Sequence, residues 1–247
     1  MTGRGIDQIL PHSVDPGLYE PYVKDARQYV RIAEQATGEI SQPVSPSYIW
    51  GDAMQVWSTL KPDFRIINLE TSVTAHDQPW EGKGINYRMH PGNADILTAA
   101  DVDCCTLANN HVLDWQRKGL IDTLRTLQHI GVRTAGAGEN LDDASGPAVL
   151  ENDRGSVIVF SYGAGTSGIP KDWAAGEEKS GVNFLPGWGK DTVEEIGALV
   201  EEVKEPGDIV VFSVHWGGNW GYGIPKHQCD FARNLIDHAG VDLVHGH

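Results

Sequence analysis

The sequence predicts an α/β fold, and three observations carry the prediction. Short apolar runs of strand length alternate with amphipathic stretches of helical period. Glycine or proline marks several of the junctions between them. The strand candidates are apolar along their length instead of alternating, as in a mostly parallel sheet covered at least in part on both faces.

The first fifty residues read as irregular apart from a helix candidate over residues 21–34, with Tyr22, Ala26, Tyr29, Val30 and Ala33 loosely on one side. Pro43 and Pro46 interrupt any regular element after it. Residues 64–69 read as a strand ending at Glu70, and residues 93–100 as a short helix with Ala94, Ile96, Leu97 and Ala100 apolar. Residues 102–107 read as a buried strand running straight into Asn109-Asn110-His111. Leu120, Ile121, Leu124, Leu127 and Ile130 recur near helical spacing, and Gly131 supplies the stop. A short strand at 132–135 precedes a glycine turn at 136–138, and Val157-Ile158-Val159-Phe160 is the centre of a strand over 156–162. Residues 163–190, rich in Gly, Pro and Trp, read as a long surface excursion. Val193, Ile196, Leu199, Val200 and Val203 mark a helix over 191–203. A strand at 209–214 ends in His215-Trp216-Gly217-Gly218; a helix at 229–239 follows, and a last strand at 241–244 runs into His245-Gly246-His247. No linker divides the pattern, so a single domain over residues 1–247 is expected.

Composition narrows the function. With 247 residues, 40% apolar and 21% charged, the chain has a globular balance, and no run reaches the apolar length of a membrane span. The N-terminus lacks the apolar core of a secretory signal, so the chain as given reads as cytoplasmic. A formal net charge of -15 without a basic run argues against nucleic acid and anionic lipid as partners. Such a surface tolerates divalent cations; it equally serves solubility alone. Cys104, Cys105 and Cys229 form no Cys-x-x-Cys pair and no disulfide framework, which leaves redox chemistry little support.

Polar residues gather at one kind of place. Glu70, Asn110 with His111, His215, and His245 with His247 each lie just beyond the carboxyl end of an expected strand. In parallel sheets those ends form a common rim where ligands bind. Imidazole, carboxamide and carboxylate groups there suit Zn²⁺, Fe²⁺ or Mn²⁺, and the lack of a thiolate set argues against a structural zinc knot. Each residue also has an ordinary reading: Glu70 as a cap, Asn110 as a turn residue, His111 as a core histidine, His215 as packing for Trp216. Arg88 can hold a phosphate or carboxylate through its planar fork, or pair with one of the many acids. His90, two residues on, is the remaining histidine near it. Trp173, Trp188, Trp216 and Trp220 either line a groove or bury as satellite core, Trp216 and Trp220 being the better groove candidates. Ser161 and Ser213 sit within strands with no evident base partner, and neither glycine-rich turn completes a nucleotide-binding motif.

The motifs Asn68-Leu69-Glu70-Thr71, Ala108-Asn109-Asn110-His111-Val112-Leu113-Asp114, Val214-His215-Trp216-Gly217 and Gly246-His247 resemble the signatures of the bacterial poly-gamma-glutamate capsule synthesis family, in order and spacing from Ile49 onward. The resemblance implies a fold like the calcineurin-like metallophosphoesterases, with two β-sheets packed between helices around two divalent metal ions (Mn, Fe or Zn). It implies Glu70, Asn110, His215 and His247 as metal ligands. His111 becomes the acid that meets the departing oxygen, and Asp114 the group that orients His111. Beside these motif residues, Asn109, Arg88, His90, His245 and Trp216 are the further candidates for substrate or outer contacts on the reading of the residues themselves. Against the family pattern the opening strand with its Gly-Asp is expected before Met1, and further strands with another histidine after His247. The function implied is hydrolysis of a phosphoester or a gamma-glutamyl amide, with an anionic polymer or phosphoester as substrate and the capsule synthesis machinery as partner. The rival is a non-catalytic polymer-binding, assembly or export factor with an incomplete metal site. Relatives in the family are often extracytoplasmic and membrane-associated.

Overall fold

The structure is a computed structural model describing residues 2–247; Met1, which opens the segment expected after a Gly-Asp strand end, lies outside them. The chain forms two compact units. Met1–Cys105 with His111–Arg133 make the first, and Thr106–Asn110 with Thr134–His247 the second.

The first unit runs α1 (Gly5–Ile9), α2 (Arg27–Thr37), α3 (Ala53–Leu60), β1 (Ile66–Asn68), β2 (Ser72–Val73), β3 (Arg88–Met89), α4 (Asp95–Thr98), β4 (Cys104–Thr106) and α5 (Gln116–His129). The helix expected at 21–34 starts later, because Gly17 bridges Asp25 and the Ala26 amide donates to Pro16, which ties the preceding residues into a loop. In α5 the buried stripe is Leu120, Thr123 and Leu127, and Gly131 at φ 77° ends the helix region. Thr123 is polar for a reason: its hydroxyl accepts the Val73 amide of β2 at 2.8 Å. β2 and β3 are parallel, with Ser72 opposite Arg88 and Val73 opposite Met89, so a two-residue ladder places Asn86-Tyr87-Arg88 in the unit's interior. Fully buried Asp7 fastens α1 to the stretch after β3. It accepts the His90 amide at 2.7 Å, the Val14 amide at 2.8 Å and the Asn93 side chain at 3.0 Å. Burial raises its carboxyl pKa, and those three bonds oppose the rise.

β1, β4 and β5 (Arg133–Ala135) form a three-stranded sheet ordered β1-β4-β5. The second unit continues with β6 (Ala137–Gly138), α6 (Leu141–Ser145), β7 (Ala148–Asn152), β8 (Gly155–Gly163), β9 (Gly181–Val182), α7 (Lys190–Val203), β10 (Ile209–His215), α8 (Lys226–His238) and β11 (Leu243–Gly246). Its main sheet is ordered β11-β10-β8-β7, with β10 parallel to both neighbours and β7 an antiparallel edge. Side chains alternate across a strand, so Ile158, Phe160 and Tyr162 of β8 and Val210, Phe212 and Val214 of β10 share one face. They bury against Val193, Ile196 and Val200 of α7 and Phe231 and Leu235 of α8. Each such side chain taken out of water stabilises the unit by roughly 1.5–3 kcal/mol. The segment expected as a bare excursion contains β9, which pairs antiparallel with β6.

The fold is thus α/β, with mixed sheets and helices, as the alternating pattern predicts. Among the described residues no helix is long and apolar enough to cross a membrane.

Candidate functional site

Within the first unit the sequence brings Glu70, His111 and Asp114 together. The His111 ring is buried, and its Nδ1 lies 2.7 Å from Asp114 Oδ2. An ionised carboxylate only accepts, so this contact requires the proton on Nδ1 and makes Nε2 the nitrogen that bears the lone pair of the neutral ring. Nε2 lies 3.8 Å from Glu70 Oε1. Glu70 in turn accepts from Asn68 Nδ2 at 3.1 Å, two residues back along the end of β1. Asp114, fully buried, also accepts the Tyr87 amide at 2.6 Å and pairs with the Lys83 ammonium. Lys83 Nζ stands 3.2 Å from His111 Nδ1. Burial lowers the Lys83 pKa, and the charges of Asp114 and Glu70 resist that fall. Tyr87 closes the cluster with its ring stacked on His111, centroids 3.9 Å apart. Ser72 anchors the turn that carries His111 by donating to the carbonyls of His111 and Val112 at 3.1 and 2.9 Å.

Sequence reasoning missed Lys83 and Tyr87. Neither belongs to a periodic pattern; both arrive through the bond from the Tyr87 amide to Asp114 and the short ladder after it. His90 lies in this unit too, with Nδ1 accepting the Gly92 amide at 3.0 Å and its ring stacked on His12. Arg88 forms none of the ion pairs considered for it. Its Nη1 donates to the His76 carbonyl at 2.6 Å and its guanidinium lies 3.7 Å over the Trp115 ring.

In the second unit the register of two parallel strands builds a cluster of imidazoles. Ser213 of β10 is opposite His245 of β11, and alternation carries His215 and His247, two residues further on, to the same face. His247 extends the ladder past β11: its amide donates to Val214 and its carbonyl accepts from Trp216, both at 3.1 Å. His215 Nδ1 and His247 Nδ1 are 2.7 Å apart, and Ser213 Oγ lies 3.2 Å from His245 Nδ1 and 3.4 Å from His247 Nε2. Ser213 therefore has imidazole neighbours that strand-by-strand reading does not reveal, because they come from the adjacent strand. Burial, then the neighbouring His215 and His245, push the His247 pKa down to about 3. Asn110 belongs to this unit, near Gly168, and Asn109 beside it is fully buried.

Trp216 turns away from these imidazoles. It packs on Gly246, where a Cβ would come within 2.7 Å of its indole nitrogen, and lies 5.6 Å from Trp188 and 6.4 Å from Phe231 between ring centroids. Trp173 is fully buried, whereas Trp220 is 95% exposed, so only Trp220 of the four candidate tryptophans stands fully in solvent.

Neutral nitrogens and a carboxamide oxygen are the donor types that borderline divalent metals take, and a histidine held neutral offers a lone pair at any ordinary pH. The donor set of the second unit fits a metal in that chemical sense. Its present spacing is that of hydrogen bonds: among the described residues no group of three or more His, Cys, Asp or Glu is arranged to hold an ion.

Comparison with known proteins decides the family. Over residues 1–247 the sequence matches the family described as Bacterial capsule synthesis protein PGA_cap. The chain belongs to this family. It is similar to the probable polyglutamine synthesis accessory protein of Mycobacterium tuberculosis, 43% identical over 249 residues, covering 100% of this chain and 65% of the relative. The PGA biosynthesis protein CapA of Bacillus subtilis is 28% identical over 201 residues, covering 79% of this chain and 50% of the relative. The capsule biosynthesis protein CapA of Bacillus anthracis is 29% identical over 165 residues, covering 67% and 39%. The chain thus spans at most about two thirds of the length of these curated relatives.

Proposed function

We propose that this chain is the hydrolytic part of a capsule polymer accessory protein, acting on a phosphoester or a gamma-glutamyl amide with the help of divalent cations. The observation that carries the reading is the His111–Asp114 contact of 2.7 Å, which fixes the tautomer and leaves Nε2 to exchange a proton with substrate. The relatives' printed names, polyglutamine synthesis accessory protein and PGA biosynthesis protein, supply the polymer context. The finer fold proposed with it is the calcineurin-like metallophosphoesterase sandwich.

Asn110, His215 and His247 are the proposed metal holders in the second unit, with His245 beside them; the sequence pattern adds Glu70. When bound, such cations polarise a phosphoryl or acyl oxygen and neutralise charge that builds on it. The chain's own residues do the rest. His111, protonated from solvent to the imidazolium, gives its Nε2 proton to the departing oxygen or amine and returns to the neutral ring with its proton on Nδ1. Asp114 holds the ring in register and steadies the imidazolium while it lasts. Lys83 compensates Asp114, and Tyr87 fixes the plane of the imidazole from its face.

The test is turnover of a chromogenic phosphodiester and of gamma-glutamyl-p-nitroanilide by chelator-treated chain, with and without added Mn²⁺ or Zn²⁺. Cation-dependent release that His111→Ala reduces by a factor of about 10² or more supports the reading. Cation binding without release on either substrate sinks it and leaves the polymer-binding role.

A further inference from the structure

Around Arg88 the first unit has a small hollow, lined by Arg4, Gln8, Asp15, Asn86, Arg88 and Trp115 among others. Two of these side chains, Asn86 and Arg88, are 94% buried, each being 6% exposed. Both keep one buried polar atom without a hydrogen-bond partner, Asn86 Oδ1 and Arg88 Nε, and Arg4 Nε is a third. Each of the three also has a polar atom that is engaged. Asn86 Nδ2 donates to the Asp114 carbonyl at 3.0 Å, Arg88 Nη1 to the His76 carbonyl, and Arg4 Nη2 to Glu20. Buried polar groups are almost always satisfied, so two unmet donors and one unmet acceptor on residues that line one hollow call for a ligand of matching pattern. Burial also lowers the Arg88 pKa, with Tyr19, Asp15, Asp7 and Asp77 opposing it only through space.

We propose that this hollow binds an α-carboxylate whose own carbon bears an N–H, the head group repeated along a gamma-linked glutamyl chain. The inference rests on the polymer reading above and names its recognition element. Two guanidinium Nε–H groups satisfy the two carboxylate oxygens, and Asn86 Oδ1 accepts the N–H. In a gamma-linked chain every α-carbon carries both groups. In an α-linked chain the free carboxylate stands at the end of the side chain, two methylenes from the nitrogen-bearing carbon. The hollow adjoins the His111 cluster through Tyr87, whose ring is stacked on His111 and lies 4.6 Å from the Arg4 guanidinium. A polymer gripped there is held next to the imidazole by one shared ring.

The test is equilibrium binding to the full chain, in chelator so that cations play no part, of tri-gamma-glutamate, tri-α-glutamate and inorganic phosphate. The gamma-linked trimer binds and shifts the indole ¹⁵N–H signal of Trp115, while the other two bind at least about tenfold more weakly. Arg88→Lys, which keeps the charge and loses Nε, and Asn86→Asp, which repels the carboxylate, each weaken the trimer at least about tenfold. Equal affinity for the two trimers, absence of saturable binding, or binding undiminished in the folded variants overturns the proposal. The Trp115 signal needs no substitution, so it decides the matter even if a variant fails to fold. Binding without turnover leaves the subsite standing and removes the hydrolase; turnover with binding indifferent to linkage does the reverse.

Discussion

The two units solve the problem of a buried histidine in opposite ways. In the first, one imidazole meets groups of both signs: Asp114 at its Nδ1, Glu70 beyond its Nε2, Lys83 against Asp114, and an aromatic ring on its face. In the second, three imidazoles meet one another and a serine hydroxyl. A charge appearing on His111 is compensated where it forms, whereas a charge appearing on His247 finds only more bases. The first arrangement suits the acid of the proposed function, and in the second burial and the neighbouring imidazoles hold the His247 pKa down. Under the proposed function, that contrast assigns His111 to proton transfer and the second cluster to the metal.

The largest effect expected from breaking the comparison falls on Asp114. Asp114→Ala strands the Lys83 ammonium, the Tyr87 amide and the His111 ring together, and should cost about 3–5 kcal/mol in urea unfolding. A loss below 1 kcal/mol would mean that the cluster contributes little to the unit.

The pH dependence of the second cluster follows from His247. Its folded pKa of about 3 lies below the ordinary 6.5, so between those values the unfolded chain takes up a proton that the folded chain refuses. Stability is therefore fully present above about pH 6.5 and is lost as pH falls toward about 3. His247→Gln, compared with the parent in chelator, should flatten the decline across this window; identical slopes would show that the imidazole is not held neutral.

Smaller still is Tyr87→Leu, which keeps the backbone bond to Asp114 and removes the ring stacked on His111. About 0.5–1.5 kcal/mol should be lost in the same unfolding experiment. Trp220→Ser should change stability by less than about 0.5 kcal/mol, since the side chain stands in solvent. A larger loss there would mean that the loop is packed.

What the sequence discloses follows the same division. The second unit's sheet was legible because β8 and β10 are long apolar runs and α7 has a clear helical stripe. The histidines at the ends of β10 and β11 fall together by alternation and parallel register, both simple periodic rules. The short pieces escaped: α1, α3, α6 and β7 were not anticipated, and two-residue β2, β3, β6 and β9 exist only through partners distant in sequence. Lys83 and Tyr87 were hidden for that reason, lying in an aperiodic stretch that is organised by bonds to Asp114. Arg88 was noticed for its charge, but only the fold shows it stacked on Trp115 with one nitrogen unmet.

The division of labour between the clusters is tested most directly by measuring Mn²⁺ or Zn²⁺ stoichiometry and affinity in the parent chain, in His215→Ala with His247→Ala, and in His111→Ala. Removal of the second-unit histidines should abolish cation binding, while His111→Ala binds as the parent does. Undiminished binding without His215 and His247, or loss of binding on removing His111 alone, would contradict the assignment.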